Sequence, residues 1–343
     1  MGDRGVFDEI LSKDVTVFWR KKDKGTNSEV KMFFASDLHG SNVCFKKFVN
    51  SAQFYGVDVL VLGGDLTGKA IIPIAEQEDG TFIALQHGEP VQIADKTELD
   101  EFVKRQGNMG FYPAVMSEAE YQRLSADPEA QDALFKELVL ERVREWAGIA
   151  AQKLKGTEIP LVTVPGNDDF VEIDEILTRA SVFDFHEMQV CEFKGGYQML
   201  YCGGSTPTPW DTEREYTEEQ YVSRFAALLP QVADMSRCIF NVHVPPFGTA
   251  LDACPKLDKN LKVVYEMGLP AQIHAGCQTL TEIIREHQPL LGLHGHVHEG
   301  RAKINIGKTI CINPGSVYPE GILQGALITL RHSEVVQANL MQG

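Results

Sequence analysis

Five short polar segments of the sequence carry side chains that commonly bind metal ions, and each segment follows an apolar run. They are Asp37-Leu38-His39, Gly63-Gly64-Asp65, Gly166-Asn167-Asp168-Asp169, His243-Val244-Pro245-Pro246 and Gly295-His296-Val297-His298. Each segment taken alone has an ordinary explanation, because Asp65 suits a turn and Asn167 suits a turn or a helix cap. The ordered set is harder to obtain by chance. Its imidazole and carboxylate groups, without a thiolate, suit Mn, Fe, Zn, Co or Ni better than Mg or Ca.

Two of these segments contain ligand-type residues two positions apart. In an extended backbone, side chains at positions i and i+2 point to the same side. We therefore expect Asp37 and His39 to face one ion together, and likewise His296 and His298.

The apolar runs before the polar segments predict five buried strands, at 31–35, 57–62, 159–164, 238–242 and 289–293. Helical patterns at 43–55 and 279–286 lie between them, and the second opens with a capping-box spacing of Thr279 and Glu282. Alternating strands and helices predict an α/β fold. Sites in such folds form at the carboxyl ends of the strands, where all five polar segments are expected.

Residues 69–158 interrupt this alternation. They contain a predicted hairpin at 81–85 and 90–93, around a His-Gly turn, and helical patterns at 97–106, 117–124 and 129–154. We predict an inserted, mostly helical cap at 69–158 that shapes substrate entry or contacts another subunit. The core domain would then comprise residues 1–68 and 159–343.

Charge and cysteine content limit the functional class. The chain has 343 residues with 48 acidic and 32 basic side chains, which gives a formal net charge of −16. Such a protein repels nucleic acids and anionic membranes unless a local positive patch intervenes. The seven cysteines form no C-x-x-C pair, and the amino terminus shows neither a secretory signal nor a myristoylation pattern. We expect a cytoplasmic protein with no membrane association and little tendency to bind nucleic acid.

The five segments, in this order, resemble the motifs of the calcineurin-like metallophosphoesterase superfamily, which run D-x-H, G-D, G-N-H-D/E, H-x-P-P and G-H-x-H. Asn313-Pro314-Gly315-Ser316 also looks like a turn near the end of that family's core. The resemblance covers residues 31–68 and about 159–318. It implies a four-layer α/β/β/α sandwich of two mixed β-sheets flanked by helices.

The resemblance also implies two divalent metal ions. Asp37, His39 and His298 would hold one ion. Asn167, His243 and His296 would hold the other, and Asp65 would bridge the two. The implied activity is hydrolysis of a small phosphorylated substrate, by in-line attack of a metal-bridging hydroxide on phosphorus.

The sequence departs from the family pattern at Asp168, where the family usually has a histidine that helps to neutralise phosphate and to protonate the leaving oxygen. An ionised aspartate would repel phosphate, so we expect weaker acid assistance and a preference for good leaving groups, as in nucleotide-like phosphodiesters. Asp168 and Asn167 are therefore the candidate catalytic residues. An equally good alternative is that Asp168 and Asp169 cap a helix amino terminus.

Other functions remain open or can be excluded from the sequence. Gly63 to Lys69 matches G-x-x-x-x-G-K, but Ala70 replaces the required Ser or Thr and Pro73 is incompatible with the following helix, which excludes a phosphate-binding ATPase loop. A non-catalytic scaffold on the same fold, a phosphomonoesterase and a nuclease remain alternatives. We interpret His294 as structural and the loop from Gly203 to Trp210 as a surface turn that could line the substrate entrance.

Overall fold

The structure is a computed structural model that describes residues 29–86 and 88–343. The amino-terminal segment and His87 of the predicted His-Gly turn lie outside the described residues. Within them, the α-helices are α1 Asn42–Tyr55, α2 Lys96–Asn108, α3 Glu118–Ser125, α4 Pro128–Lys153, α5 Ile173–Arg179, α6 Glu218–Leu228 and α7 Gln278–His287. No helix among the described residues has the length and apolar character needed to cross a membrane.

Two six-stranded mixed sheets form the centre of the fold. The first has the order β20-β19-β1-β2-β7-β8, with β1 Val30–Ala35, β2 Val59–Leu62, β7 Leu161–Thr163, β8 Phe183–Phe185, β19 Gln324–Arg331 and β20 Glu334–Gln342. The second has the order β17-β18-β16-β11-β10-β9, with β9 Gln189–Phe193, β10 Tyr197–Cys202, β11 Cys238–Val242, β16 Leu291–Leu293, β17 Ala302–Ile306 and β18 Thr309–Asn313. In the second sheet, an antiparallel strand lies at each edge of the parallel central strands. In the first sheet, the antiparallel strands β19 and β20 lie at one edge, and the other edge strand, β8, is parallel to β7.

The burial pattern of β1 shows how the layers are arranged. Met32 and Phe34 belong to an apolar cluster between the two sheets, whereas Phe33 and Ala35 belong to a second cluster beneath the outer helices. Successive strand residues face opposite sides, so a strand buried on both faces must be apolar throughout. The expected α/β/β/α sandwich is therefore confirmed, with a third apolar cluster between the second sheet and α6 and α7.

The predicted strands and helices between the motifs are confirmed, with small shifts at their ends. Strand 238–242 has the predicted bounds, whereas the strands predicted from 57, 159 and 289 begin two residues later. The capping box predicted at Thr279 is wrong. The cap of α7 is Cys277, whose sulfur accepts a hydrogen bond from the backbone N–H of Leu280. The Thr279 hydroxyl instead donates to the carboxylate of Glu218.

Residues 69–158 contain the predicted hairpin and helices, with more residues in helices than in strands. They also contain a four-stranded sheet, of which two strands were not predicted. Its order is β5-β4-β3-β6, with β3 Ile71–Glu76, β4 Phe82–Gln86, β5 Glu89–Ile93 and β6 Tyr112–Ser117. This sheet and α2 enclose a small apolar cluster of their own.

Helix α4 also belongs to residues 69–158, but it packs against the main core and not only within this segment. The Trp146 ring stacks on Phe45 of α1 with ring centroids 4.1 Å apart, and its Nε1 donates to Asn42 Oδ1 at 2.8 Å. The buried Arg142 donates to the carbonyl of Gly40, next to the first motif. The segment is thus anchored at the edge where the polar motifs lie.

A hairpin arm lies between β11 and α7. It is formed by β12 Ala253–Pro255, β13 Tyr265–Glu266, β14 Leu269–Pro270 and β15 Gln272–His274.

Candidate metal centre

The five polar segments meet at the carboxyl ends of β1, β2, β7, β11 and β16. Backbone hydrogen bonds join the segments directly, including Asp37 N to Gly64 O at 3.0 Å and Gly295 N to His243 O at 2.8 Å. All seven predicted ligands lie in this one region and form two neighbouring groups. One group contains Asp37, His39 and His298, and the other contains Asp65, His243 and His296; His39, Asp65 and Asp168 form a third set, between them, that could also hold a cation.

The extended backbone that we expected at the two pairs of ligands, Asp37 with His39 and His296 with His298, is not found. Asp37, His39 and His296 have positive φ angles of 58°, 42° and 66°, so these turns are left-handed and not extended. Asp65 has a φ of 48°. A left-handed backbone is unfavourable for residues other than glycine, and such strain clusters at functional sites. Four of the seven predicted ligands therefore lie on strained turns that the surrounding hydrogen bonds hold in place.

Glycines allow these turns to approach each other. A Cβ atom on Gly295 would lie 2.3 Å from Asp37 Oδ2, and one on Gly166 would lie 2.0 Å from Asp65 Oδ1. Both distances are too short for any side chain, so glycine is needed at both positions.

The first group contains two imidazoles and one carboxylate. Nε2 of His39 lies 2.9 Å from Nε2 of His298, and Asp37 Oδ1 lies 3.9 Å and 3.6 Å from these two nitrogens. Nδ1 of His39 is 3.2 Å from the carbonyl of Thr67. A proton on Nδ1 would bond this carbonyl and leave the Nε2 lone pair free for a cation.

The second group is adjacent and includes Asn167. Its Oδ1 lies 2.7 Å from Nδ1 of His296, and its Nδ2 donates to Thr212 Oγ1 at 3.1 Å. The amide nitrogen also donates to Asp168 Oδ1 at 3.1 Å, so both of its donors are engaged and the amide oxygen is the atom that faces His296. Asp65 Oδ2 lies 3.4 Å from Nε2 of His243 and 3.6 Å from Nε2 of His39. Asp65 therefore stands between the two groups, as a bridging ligand must.

His243 provides the test of whether these residues fit a metal ion. Its Nδ1 lies 2.7 Å from the carbonyl of Gly63, which holds the Nδ1 proton. Its Nε2 is fully buried and makes no close hydrogen bond among the described residues, and the Asp65 carboxylate is its ionic neighbour at 3.4 Å. A cation between Asp65 and His243 would replace the proton on this nitrogen and take both groups as ligands. The donor set also suits a transition metal.

The imidazoles of the cluster have very different pKa values. Burial lowers the pKa of His243, but the carboxylates of Asp65 and Asp37 outweigh burial and raise it to about 10. Burial and the charge of His243 lower the pKa of His296 to about 3. Burial, opposed by the charge of His243, raises the pKa of Asp65 to about 6. Without metal, His243 is therefore the cationic member of the cluster, and a bound ion must displace its proton.

The helix-cap interpretation of Asp168 and Asp169 is wrong. Helix α5 begins at Ile173, and Glu172 is its cap position. The Asp169 carboxylate is buried and accepts four hydrogen bonds, from Leu66 N, Thr67 N, Thr67 Oγ1 and Gly166 N, at 2.8–3.1 Å. Asp169 thus ties the loop after β2 to the loop after β7, and so fixes Asp65 relative to Asn167.

Asp168 faces the cluster from its rim. Its Oδ2 lies 3.5 Å from Nδ1 of His39 and 2.7 Å from Nζ of Lys69. Its backbone N–H donates to Asp65 Oδ1 at 2.9 Å. The ion pair neutralises the negative charge expected at this position.

Sequence reasoning missed three residues of the site. Lys69 was considered only as part of a rejected ATPase motif. Tyr318 packs its ring 4.8 Å from that of His39 and 5.9 Å from that of His298, and Thr212 positions Asn167. No signal in the sequence indicated these three roles, because each depends on a contact between segments that are distant in the chain.

His294, interpreted as structural, lies behind the cluster. Its Nδ1 is 2.9 Å from the carbonyl of Val242, and burial lowers its pKa to about 4. The loop from Gly203 to Trp210 reaches the rim, because the exposed Trp210 ring lies 5.7 Å from Nζ of Lys69. Of the two interpretations of this loop, a plain surface turn or a lining of the substrate entrance, its position beside Lys69 favours the second.

Comparisons with known proteins agree with this fold. No family model matches the chain. An uncharacterized protein of Methanocaldococcus jannaschii is 29% identical over 156 residues, which is 45% of this chain and 63% of that protein, so the chain matches less than two thirds of its relative. One solved structure covers 92% of this chain and 99% of its own, with a TM-score of 0.56 and 16% identity. Such a likeness shows the fold.

Two further solved structures are less similar. TT1561 of Thermus thermophilus has a TM-score of 0.48 at 18% identity, and a structure described as a novel archaeal phosphodiesterase has a TM-score of 0.39 at 9% identity. They cover 92% and 91% of this chain, and 99% and 100% of their own chains. Likenesses at this level carry no argument about function.

Proposed function

We propose that this chain, which has the fold of the calcineurin-like metallophosphoesterases and most of their motif residues, is a dinuclear metal-dependent phosphoesterase. Its substrate would be a small phosphorylated molecule, preferentially a nucleotide-like phosphodiester. The observation that carries the proposal is the convergence of seven ligand-type side chains from five loops, with the buried Nε2 of His243 facing the Asp65 carboxylate.

The proposed roles follow the two groups. Asp37, His39 and His298 would hold one ion, and Asn167, His243 and His296 would hold the other. Asp65 would bridge the two. A divalent cation pair supplies water activation and neutralises charge on the phosphoryl oxygens. Mn, Fe, Zn, Co and Ni all suit this donor set, and manganese is the first choice for a test.

The charge balance supports an anionic substrate. Two divalent ions beside Asp37 and Asp65 leave a surplus of about two positive charges, which can attract a phosphate to a protein whose net charge is −16. Asp168 stands at the rim beside the expected substrate position. Its pairing with Lys69 at 2.7 Å reduces the repulsion of phosphate that an isolated carboxylate would cause.

Three alternatives remain. A non-catalytic scaffold would not require a complete set of ligands. A phosphomonoesterase would use the same groups, and a nuclease would need a basic groove that the acidic composition does not favour. We also propose a cytoplasmic location, which is supported by the free state of all seven cysteines.

Metal analysis and a substrate panel test the proposal together. The purified chain would be loaded with manganese and assayed against bis-p-nitrophenyl phosphate, p-nitrophenyl phosphate and single-stranded DNA. The proposal predicts about two ions per chain and fastest turnover of the diester, abolished by a chelator and by Asp65→Asn. Asp258→Asn, in an exposed turn of the hairpin arm, is the control. A chain that binds no metal and hydrolyses nothing would favour the scaffold, and turnover of DNA alone would favour the nuclease.

A further inference from the structure

A lysine, a carboxylate and an indole meet at the rim of the metal cluster. Nζ of Lys69 lies 2.7 Å from Asp168 Oδ2 and 5.7 Å from the centroid of the Trp210 ring. Asp168 Oδ2 is in turn 3.5 Å from Nδ1 of His39. Only one carboxylate therefore separates the ammonium group from an imidazole of the cluster.

Lys69 and Trp210 are both accessible from solvent. The Lys69 side chain is 48% exposed and Trp210 is 57% exposed, whereas the Asp168 side chain between Lys69 and His39 is 12% exposed. A solvent-facing ammonium on an acidic protein is a natural contact for an anionic ligand. A solvent-facing indole offers a flat apolar surface for a planar group.

The loop that carries Trp210 is held rigidly. Glu215 accepts four hydrogen bonds, from the backbone N–H and the hydroxyl of both Thr208 and Thr212, at 2.5–2.8 Å. The Thr212 hydroxyl also accepts a hydrogen bond from Nδ2 of Asn167 at 3.1 Å. These contacts fix the loop to a candidate metal ligand, so Trp210 has a defined place relative to the cluster.

We infer that Lys69 and Trp210 form the substrate-binding rim of this site and select organic phosphates that carry a planar aromatic group. Lys69 binds a phosphoryl oxygen, and Trp210 stacks on the aromatic group. Asp168 is a positioning residue, which holds the Lys69 ammonium over the cluster. The inference deepens the proposed function and depends on it, because the phosphoryl group must also contact the metal-loaded cluster.

Binding of two non-hydrolysable ligands tests the rim without relying on activity. Methylphosphonate and phenylphosphonate would be titrated calorimetrically into the manganese-loaded chain, with metal content and thermal stability measured for every variant. Lys69→Met is expected to raise the Kd of both ligands at least tenfold, whereas Lys69→Arg keeps both within about threefold of wild type. Trp210→Ala is expected to raise only the Kd of phenylphosphonate, by about fivefold or more.

Lys136 is a matched control, because it has the same kinds of neighbours away from the cluster. Its Nζ lies 2.7 Å from Glu172 Oε1 and 5.0 Å from the centroid of the Phe170 ring. Lys136→Met is expected to leave both Kd values within about twofold of wild type. An equal effect of Lys136→Met and Lys69→Met would overturn the inference.

The positioning role of Asp168 has its own readout. In the Lys69→Met background, Asp168→Asn removes an unpaired negative charge and is expected to tighten methylphosphonate binding. In the wild-type background, the same change frees Lys69 and is expected to weaken binding. If Asp168 has only a structural role, Asp168→Asn should change the Kd of methylphosphonate in the same direction in both backgrounds. That result would overturn this assignment.

The outcomes separate the inference from the proposed function. A wild-type chain that binds manganese and both phosphonates, with Lys69→Met and Trp210→Ala unchanged, overturns the inference alone. A wild-type chain that takes up no manganese, or binds neither phosphonate, overturns both.

Discussion

The Nε2 atoms of His39 and His298 lie 2.9 Å apart, although 259 positions separate the two residues in the sequence. Two nitrogens that each lie about 2.1 Å from one ion, at a right angle to each other, are about 3 Å apart. Nδ1 of His39 is occupied by the Thr67 carbonyl, so its Nε2 is the nitrogen available for such an ion. Without an ion, the two nitrogens are at hydrogen-bond distance, and a cation held by both would replace the shared proton.

The first prediction concerns this pair. His298→Ala removes one ligand of the first group and leaves the second group intact, so metal content is expected to fall from about two ions per chain to about one. Phosphodiester hydrolysis is expected to fall at least 100-fold, because loss of even an outer partner of a ligand costs about 10–100-fold. Elemental analysis and a steady-state assay measure the two effects. His287→Ala, at the end of α7, is the control, and unchanged metal content in His298→Ala would contradict the assignment.

The second prediction concerns the buried carboxylate of Asp169. Asp169→Asn replaces an acceptor of four hydrogen bonds with a group that presents two donors, so at least one backbone N–H loses its partner. The free energy of unfolding in urea is expected to fall by about 2–3 kcal/mol, and manganese is expected to bind more weakly as the two loops separate.

Asp258→Asn is the control for this substitution. Asp258 also accepts backbone hydrogen bonds, from Asn260 and Lys262, but it is exposed. Its loss is expected to cost less than about 0.5 kcal/mol. Equal costs for the two variants would show that Asp169 has no special part in holding the loops.

The third prediction concerns the leaving group. With Asp168 in place of the family's histidine, protonation of the departing oxygen receives little help, so rates should depend steeply on the leaving-group pKa. Asp168→His is expected to make this dependence shallower. The measurement is a series of aryl phosphodiesters assayed with the wild type and the variant at equal metal loading. Identical slopes would show that the residue does not affect protonation of the leaving group.

The fourth prediction concerns pH and lies outside the metal cluster. Burial alone would lower the pKa of His186, but its hydrogen bond to Asp184 at 2.8 Å and its contact with Cys191 raise the pKa to about 10. This stabilisation is complete below the unfolded pKa of 6.5 and is lost as the pH rises toward 10. Asp184→Asn is therefore expected to cost about 1 kcal/mol at pH 6 and progressively less above pH 7.

Urea unfolding of the wild type and Asp184→Asn at several pH values measures this cost. For the control Asp258→Asn, the difference in unfolding free energy from the wild type should not change over the same pH range. A cost of Asp184→Asn that grows with pH would reverse the expected sign.

The central strands could be predicted from the sequence, because they are buried on both faces and therefore appear as unbroken apolar runs. Their arrangement in two facing sheets was implied only by the resemblance of the motifs to a known family. The strands β3 and β6 were missed for an equally physical reason. Pro73 and Pro113 lie within them, and proline normally argues against a paired strand because it lacks a backbone donor. Their pairing depends on contacts with α2 and β4, which no local pattern records.

The candidate ligands could also be selected from the sequence, since residue type and position after a strand suffice for this. Their geometry could not be predicted. The left-handed turns at Asp37, His39 and His296 depend on hydrogen bonds between distant loops. The role of Asp169 and the contact between Lys69 and Asp168 likewise join loops about one hundred positions apart, so sequence spacing could not reveal them.

Crystals of the manganese-loaded protein, measured for anomalous scattering near the manganese absorption edge, would show whether the cluster holds a pair of ions. We expect two strong anomalous peaks, one among Asp37, His39 and His298 and one among Asn167, His243 and His296, with Asp65 between them. A single peak elsewhere, or no peak near these residues at full metal loading, would contradict the proposed metal centre.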